Sequence, residues 1–101
     1  MKSYFGDRTI DGVVATVNGA PLDPRVDLRD YAGGDFEWSY EGDAPSQLAF
    51  AILMDHLGDK ARAEALTERF MRDVVANFQN EWEMTSEDVD RVLVSYGAAA
   101  A

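Results

Sequence analysis

The sequence predicts an α+β fold, a small and mostly antiparallel sheet from the N-terminal half packed on two to three helices. Two observations carry this prediction. Residues 1–43 are short β-branched and aromatic runs broken by Gly, Pro and Asn-Gly, the pattern of strands and turns. From residue 44 the apolar residues recur at helical spacing, and a separate helical stretch opens after Thr85.

The elements follow in order. Tyr4-Phe5 begins a strand that the turn signal Gly6-Asp7 should end. Val13-Val14-Ala15-Thr16-Val17 is β-branched and strand-like. Asn18-Gly19 follows at once and predicts a type I′ hairpin, because both residue types tolerate positive φ. Ala20-Pro21-Leu22 would be a brief return strand at an edge, since Pro21 cannot donate to a ladder. Asp23 to Asp35 is irregular, with Pro24 and Gly33-Gly34 as punctuation. Phe36-Glu37-Trp38-Ser39-Tyr40 alternates strictly, which predicts a half-buried strand with its three aromatic residues on one face.

Asp43 is placed to cap a helix that tolerates Pro45 in its first turn. Leu48 to Met54 is apolar nearly all round, so that helix should be buried on most of its circumference. Gly58 offers a C-cap and Asp59 the next N-cap. The second helix is expected to run to about Phe78, with Leu66, Phe70, Val74 and Phe78 every fourth residue. Its other face pairs Lys60 with Glu64, Glu68 with Arg72 and Arg69 with Asp73 at i,i+4. Glu81-Trp82-Glu83-Met84-Thr85 reads as a last short strand or an extended connector. Ser86 should cap a final helix with apolar face Val89, Val92, Leu93 and Tyr96, stopped by Gly97. One domain over 1–97 and a plain Ala tail over 98–101 complete the expected organisation.

Composition narrows the function. The chain has 101 residues, 47% of them hydrophobic, so it can bury a core despite a net charge of -10. Zero Cys removes disulfides, thiolate metal sites and Cys nucleophiles together. The N-terminus lacks an apolar signal region and the run Leu48–Met54 is too short to span a bilayer, so a soluble cytoplasmic protein with no membrane partner is expected. The lone His56 near a helix C-terminus is favoured there by the helix dipole, and no Ser-His-Asp or zinc spacing accompanies it. The four Asp between Asp23 and Asp35 do not make a calcium-binding loop. The glycines match turns, not phosphate loops, and no basic stripe exists to hold a nucleic acid directly. The expectation is a protein that is not an enzyme and takes neither cofactor nor metal.

What remains is the charge itself: 19 acids against 9 bases. The excess lies at the two ends of the chain, while residues 44–80 are nearly neutral. Such a surface steers basic molecules toward it. The candidate partner-binding residues are Asp23, Asp27, Asp30, Asp35, Glu37, Glu41 and Asp43 from the first half, and Glu81, Glu83, Glu87, Asp88 and Asp90 from the second. If the last helix lies beside the sheet, the two sets merge into one acidic field. Trp82, flanked by acids, is the candidate hot-spot anchor. A solubilising surface, or adaptation to a high-salt host, would explain the same charge without a partner.

The runs Tyr4–Gly12, Val17–Arg25, Phe36–Tyr40 and Gln47–Asp59 together carry a resemblance. The chain resembles, over roughly residues 3–90, a small prokaryotic family of unknown function found in bacteria, haloarchaea and mobile elements. The Phe-Glu-Trp run and the Asp-His-Leu-Gly-Asp junction are its most recognisable pieces. The resemblance implies no site residues. It implies a context of mobile accessory genes, whose small acidic products look like anti-CRISPR-type inhibitors. By that analogy the expected function is binding to a basic nucleic-acid-handling complex such as a Cas effector; an accessory or regulatory cytoplasmic domain is the alternative.

Overall fold

The computed structural model describes residues 1–98. Its elements are β1 (Ser3–Thr9), β2 (Gly12–Val17), β3 (Ala20–Pro21), α1 (Asp43–Leu57), α2 (Lys60–Asp73), β4 (Glu81–Thr85) and α3 (Ser86–Ser95), with a 3₁₀ turn at Val75–Asn77. The strands form one antiparallel sheet in the order β3-β2-β1-β4. The α+β expectation holds. The sheet takes three strands from the first 21 residues and a fourth from β4, which pairs with β1 across most of the chain.

Tight turns set the sheet's register. Asn18 and Gly19 have φ of 50° and 83°, the two positive values a type I′ turn requires. The Asn18 side chain accepts from Ser3 N at 2.8 Å, tying that turn to the start of β1. β1 does not stop at Gly6-Asp7 as expected; it runs on to Thr9. Gly6 is mid-strand because the Trp82 indole lies over it: a Cβ there would sit 2.3 Å from Trp82 Nε1. The glycine marks a close approach, not a turn.

One sheet face is dry. Tyr4, Gly6, Ala15, Trp82 and Met84 are buried on it, and α1 supplies the opposing wall with Leu48 through Leu53 at 0% exposure. The alternation puts Phe5, Asp7, Val14, Thr16, Glu81 and Glu83 on the other face, where no strand residue is buried. The helices therefore form a layer on one side, and the sheet is open on the other.

Several boundaries differ from the expectation, each for a local reason. Phe36–Tyr40 is a loop, not a strand. Ser39 adopts φ 77°, and its N–H and hydroxyl donate to Val75 O (3.2 Å) and Phe78 O (2.6 Å) instead of to a sheet neighbour. Trp38 is buried, Phe36 only partly, and Tyr40 is 50% exposed, so the three do not share a core face. The cap of α1 is Gly42, whose carbonyl accepts from Ser46 N and Oγ; the Asp43 side chain makes no cap. α2 ends at Asp73, not near Phe78. Asn77 Nδ2 donates to the Asp73 carbonyl at 3.0 Å, and the chain tightens into the 3₁₀ turn. Thr85, not Ser86, caps α3, in a reciprocal capping box with Asp88. Gly58 and Asp59 act as expected, and the three i,i+4 ion pairs of α2 are all present. Ala98, expected to open the tail, donates to Leu93 O and closes the α3 terminus with Gly97 at φ 80°. Residues 99–101 of that tail lie outside the described residues.

The irregular segment between β3 and α1 is ordered by one buried amide. Gln47 is 0% exposed, and its Oε1 accepts from Tyr31 N (2.7 Å) and Ala32 N (3.2 Å). Its Nε2 donates to Pro24 O (2.7 Å) and Arg29 O (3.0 Å). That uses both acceptor lone pairs and both donors of the side chain. A loop that lacks a ladder thus gains a substitute for one.

Candidate functional site

The expected acids divide by what they already do. Glu37 binds Arg8 at 2.6 Å, and the same guanidinium donates to Trp38 O and lies 5.0 Å above the Trp38 ring. This group pins the loop to the dry face. Asp88 accepts from Thr85 N and from Arg91 (2.8 Å); those contacts, led by the Thr85 N–H, hold its carboxyl below the usual range. Asp90 meets His56 Nε2 at 2.6 Å, and that imidazole is only 6% exposed. Asp23 and Asp30 accept from the backbone of Arg25 and Gly33, Asp27 pairs with Arg25, and Glu87 lies 3.5 Å from Arg91. These are loop turns, a helix cap and ion pairs, of which Arg8–Glu37 and His56–Asp90 are partly buried.

Trp82 is not an exposed anchor. It is 6% exposed, stacked on Phe78 at 4.3 Å and edge-on to Trp38 at 5.8 Å. Acids flank it in sequence because β4 alternates, so its neighbours point outward while it points in.

Five of the expected acids, Asp35, Glu41, Asp43, Glu81 and Glu83, have no ion pair among the described residues. The expected single field is divided. Glu81 and Glu83 stand on the open face of the sheet, whereas Glu41 and Asp43 lie at the start of α1 in the helix layer.

On the open face, pairing places Asp7 opposite Glu81 and Phe5 opposite Glu83. Arg8 N donates to Asn80 O, so Arg8 and Asn80 form a hydrogen-bonded pair and Asp7–Glu81 is the neighbouring non-hydrogen-bonded one. Side chains stand closest at such positions, and like charges there repel. Phe5 and Asp7 adjoin Thr16 and Val14 on β2, and Val14 is 50% exposed. Among the outward strand residues there are three carboxylates and no Lys or Arg. Sequence alone hides Asp7, because Gly6-Asp7 carries the signature of a turn while the chain continues as β1.

A second polar cluster, buried only at Tyr4, ties β1 to the end of α1. Tyr4 OH donates to Asp55 at 2.8 Å, and Lys2 Nζ reaches the same oxygen at 3.1 Å. Burial first, and then that bond, push the Tyr4 phenol far above its ordinary range. Burial and a bond to Asp73 likewise push Tyr96 up to about 12. Among the described residues no group of three or more His, Cys, Asp or Glu could hold a metal ion, and no helix is long and apolar enough to cross a membrane. What these geometries offer chemically is a set of presented carboxylates, which recognise ammonium and guanidinium groups.

No curated protein and no solved structure matches this chain. Residues 4–95, which include all the elements but the first residue of β1, match the model of DUF6166, a family of unknown function, and the chain belongs to that family.

Proposed function

We propose that this protein is a non-enzymatic interaction protein whose open sheet face docks on the basic surface of a partner protein. The observation that supports it is the Asp7–Glu81 pair with Glu83, which have no ion pair among the described residues and are set beside exposed Val14 and part-buried Phe5. A carboxylate pair held face to face repels itself until a cation arrives. The apolar neighbours supply area that a charge pair alone lacks. The finer reading is that the partner is a nucleic-acid-handling complex, a Cas effector being the specific case, whose phosphate-binding Arg and Lys would be occupied by these acids.

The test is a tagged pull-down from a CRISPR-bearing host, eluted by a salt gradient and read by mass spectrometry. Three proteins are compared: wild type, the triple variant Asp7→Lys, Glu81→Lys, Glu83→Lys, and a control carrying Glu68→Lys and Glu87→Lys on the helices. Salt-sensitive recovery of a Cas or other nucleic-acid-binding complex, lost in the first variant and kept in the control, supports the reading. Equal recovery by both variants, each with wild-type circular dichroism, overturns it. Recovery of nothing by wild type leaves the acidity as solvation of an accessory domain.

A further inference from the structure

The sheet ends on one side at β4, and that edge carries backbone groups without a partner. Ser86 N donates to Lys2 O at 2.9 Å, and Arg8 N donates to Asn80 O at 3.0 Å. In the register between them, the hydrogen-bonded positions of β4 are therefore Trp82 and Met84, opposite Gly6 and Tyr4. The backbone of Glu81, Glu83 and Thr85 faces away from β1. Thr85 N is closed by the Asp88 carboxylate at 3.0 Å. The N–H and C=O of Glu81 and of Glu83 take no hydrogen bond among the described residues, and both residues are exposed. They make two donor–acceptor sets, two residues apart on a regular strand, which is the template an added strand pairs with. The opposite edge of the sheet is mostly closed, by β3 on Thr16 and Val17 and by Leu22 N on Ala15 O.

We infer that β4 takes an extended basic segment of the partner protein as a fifth strand, with Lys or Arg opposite Glu81 and Glu83. The inference names the mode of docking for the sheet-face reading and rests on it. Charge selects the occupant. A second copy of this chain would bring its own β4, and the antiparallel registers that overlap both Glu81 and Glu83 set a carboxylate of one copy against a carboxylate of the other. The same acids that block self-pairing admit a strand of opposite sign. Residues hydrogen-bonded to Glu81 and Glu83 would point to the open face beside those side chains, two positions apart. Asp7, one strand further in on the same face, adds charge of the same sign. The residue between them falls on the other side of the sheet, level with buried Trp82, where an apolar or small side chain fits. The recognised pattern is therefore basic, apolar, basic in an extended chain.

The experiment titrates the intact chain with a short fluorescent peptide alternating Lys with Val, read by anisotropy, and follows backbone amide exchange by NMR. Saturable binding is expected. Exchange at the Glu81 and Glu83 N–H should slow by about tenfold or more, with Trp82 and Met84, already in the ladder, changing less. N-methylation of the peptide's Lys amides removes the donors that face β4 and should weaken binding about thirtyfold, from two lost hydrogen bonds. N-methylation of its Val amides, which face away, should leave binding intact. Glu81→Gln with Glu83→Gln should weaken it about tenfold, and Glu41→Gln with Asp43→Asn, in the helix layer, should not change it.

Three results would each overturn strand addition: no saturable binding of the peptide; equal affinity of the Lys-methylated and Val-methylated peptides; or unslowed exchange at Glu81 and Glu83 in the saturated complex. A dimer of the free chain with those two amides protected would instead give the edge to a second copy. Partner recovery that the triple Lys variant abolishes, while the peptide leaves the two amides unprotected, would keep docking on the face and remove the added strand, so either reading can fail alone.

Discussion

Replacing Gln47 with Leu tests how much one buried amide contributes to ordering a loop without secondary structure. The side chain makes four hydrogen bonds, to Tyr31 N, Ala32 N, Pro24 O and Arg29 O, from a fully buried position. Leu matches the volume but leaves two donors and two acceptors of the backbone without a partner. At about 1 kcal/mol net for each bond, the loss is about 4 kcal/mol, and more where an orphaned group stays dry. Against a total stability of about 5–15 kcal/mol this is severe, and it corresponds to a fall in Tm of roughly 15–30 °C. Gln47→Glu separates hydrogen bonding from volume. The carboxylate still accepts from Tyr31 and Ala32 but presents negative charge to the Pro24 and Arg29 carbonyls. Burial raises the introduced carboxyl's folded pKa above its unfolded value, so stability is present below the ordinary carboxylate range and is lost as pH rises through the folded value. Urea denaturation from pH 3 to pH 8 should show Gln47→Glu regaining stability relative to Gln47→Leu on the acid side. A loss below about 1 kcal/mol for Leu, or parallel pH profiles for the two variants, would refute the account of the loop.

Four further outcomes are expected. Gly6→Ala drives a Cβ into the Trp82 indole, which Phe78 and Trp38 hold in place, at a cost of about 1–3 kcal/mol; a Trp82→Leu background should relieve most of that cost in a double-mutant cycle. Thr85→Ala removes the α3 cap and should lower stability by about 1 kcal/mol at neutral pH. Because the Asp88 carboxyl is held below its unfolded value, its contribution is present above that value and lost as pH falls through the folded one; Asp88→Asn should flatten this acid limb in urea titrations. Asp7→Asn relieves the repulsion with Glu81 and should stabilise the fold by about 0.2–1 kcal/mol in thermal denaturation, with the effect shrinking in high salt.

Most of the fold was legible because its signals are local. Asn18-Gly19 sets a hairpin by backbone conformation alone, and the apolar run Leu48–Met54, opened by Pro45 and closed by Gly58, sits inside one buried helix. The errors came where a distant partner decides. Gly6 reads as a turn until Trp82, 76 residues later, is seen to lie over it. Phe36–Tyr40 alternates like a strand, yet Ser39 bonds to the turn at Val75–Phe78 and Trp38 is held by Arg8, so periodicity was mimicked by separate tertiary contacts. The candidate acids were visible as a total and not as a set. Sequence cannot tell Asp88, spent on a helix cap, from Glu83, presented on an open face.

That distinction bears on why the chain is acidic. The cations of the helix layer are engaged there: Lys60, Arg69, Arg72 and Arg91 each hold a carboxylate one helical turn away, and Lys2 reaches Asp55. Arg8, the one cation of the strands, points to the dry face and is taken by Glu37 and Trp38. Unpaired negative charge is therefore uneven, with Asp7, Glu81 and Glu83 on the open sheet face and Glu41 and Asp43 at the start of α1 holding no ion pair among the described residues. A surface acidic only for solubility gains nothing from setting two carboxylates directly opposite each other, since the same charges dispersed along the loops would repel less. On the proposed reading, the Asp7–Glu81 juxtaposition is a repulsion in the free protein that a partner's cation, brought between the two carboxylates, would offset.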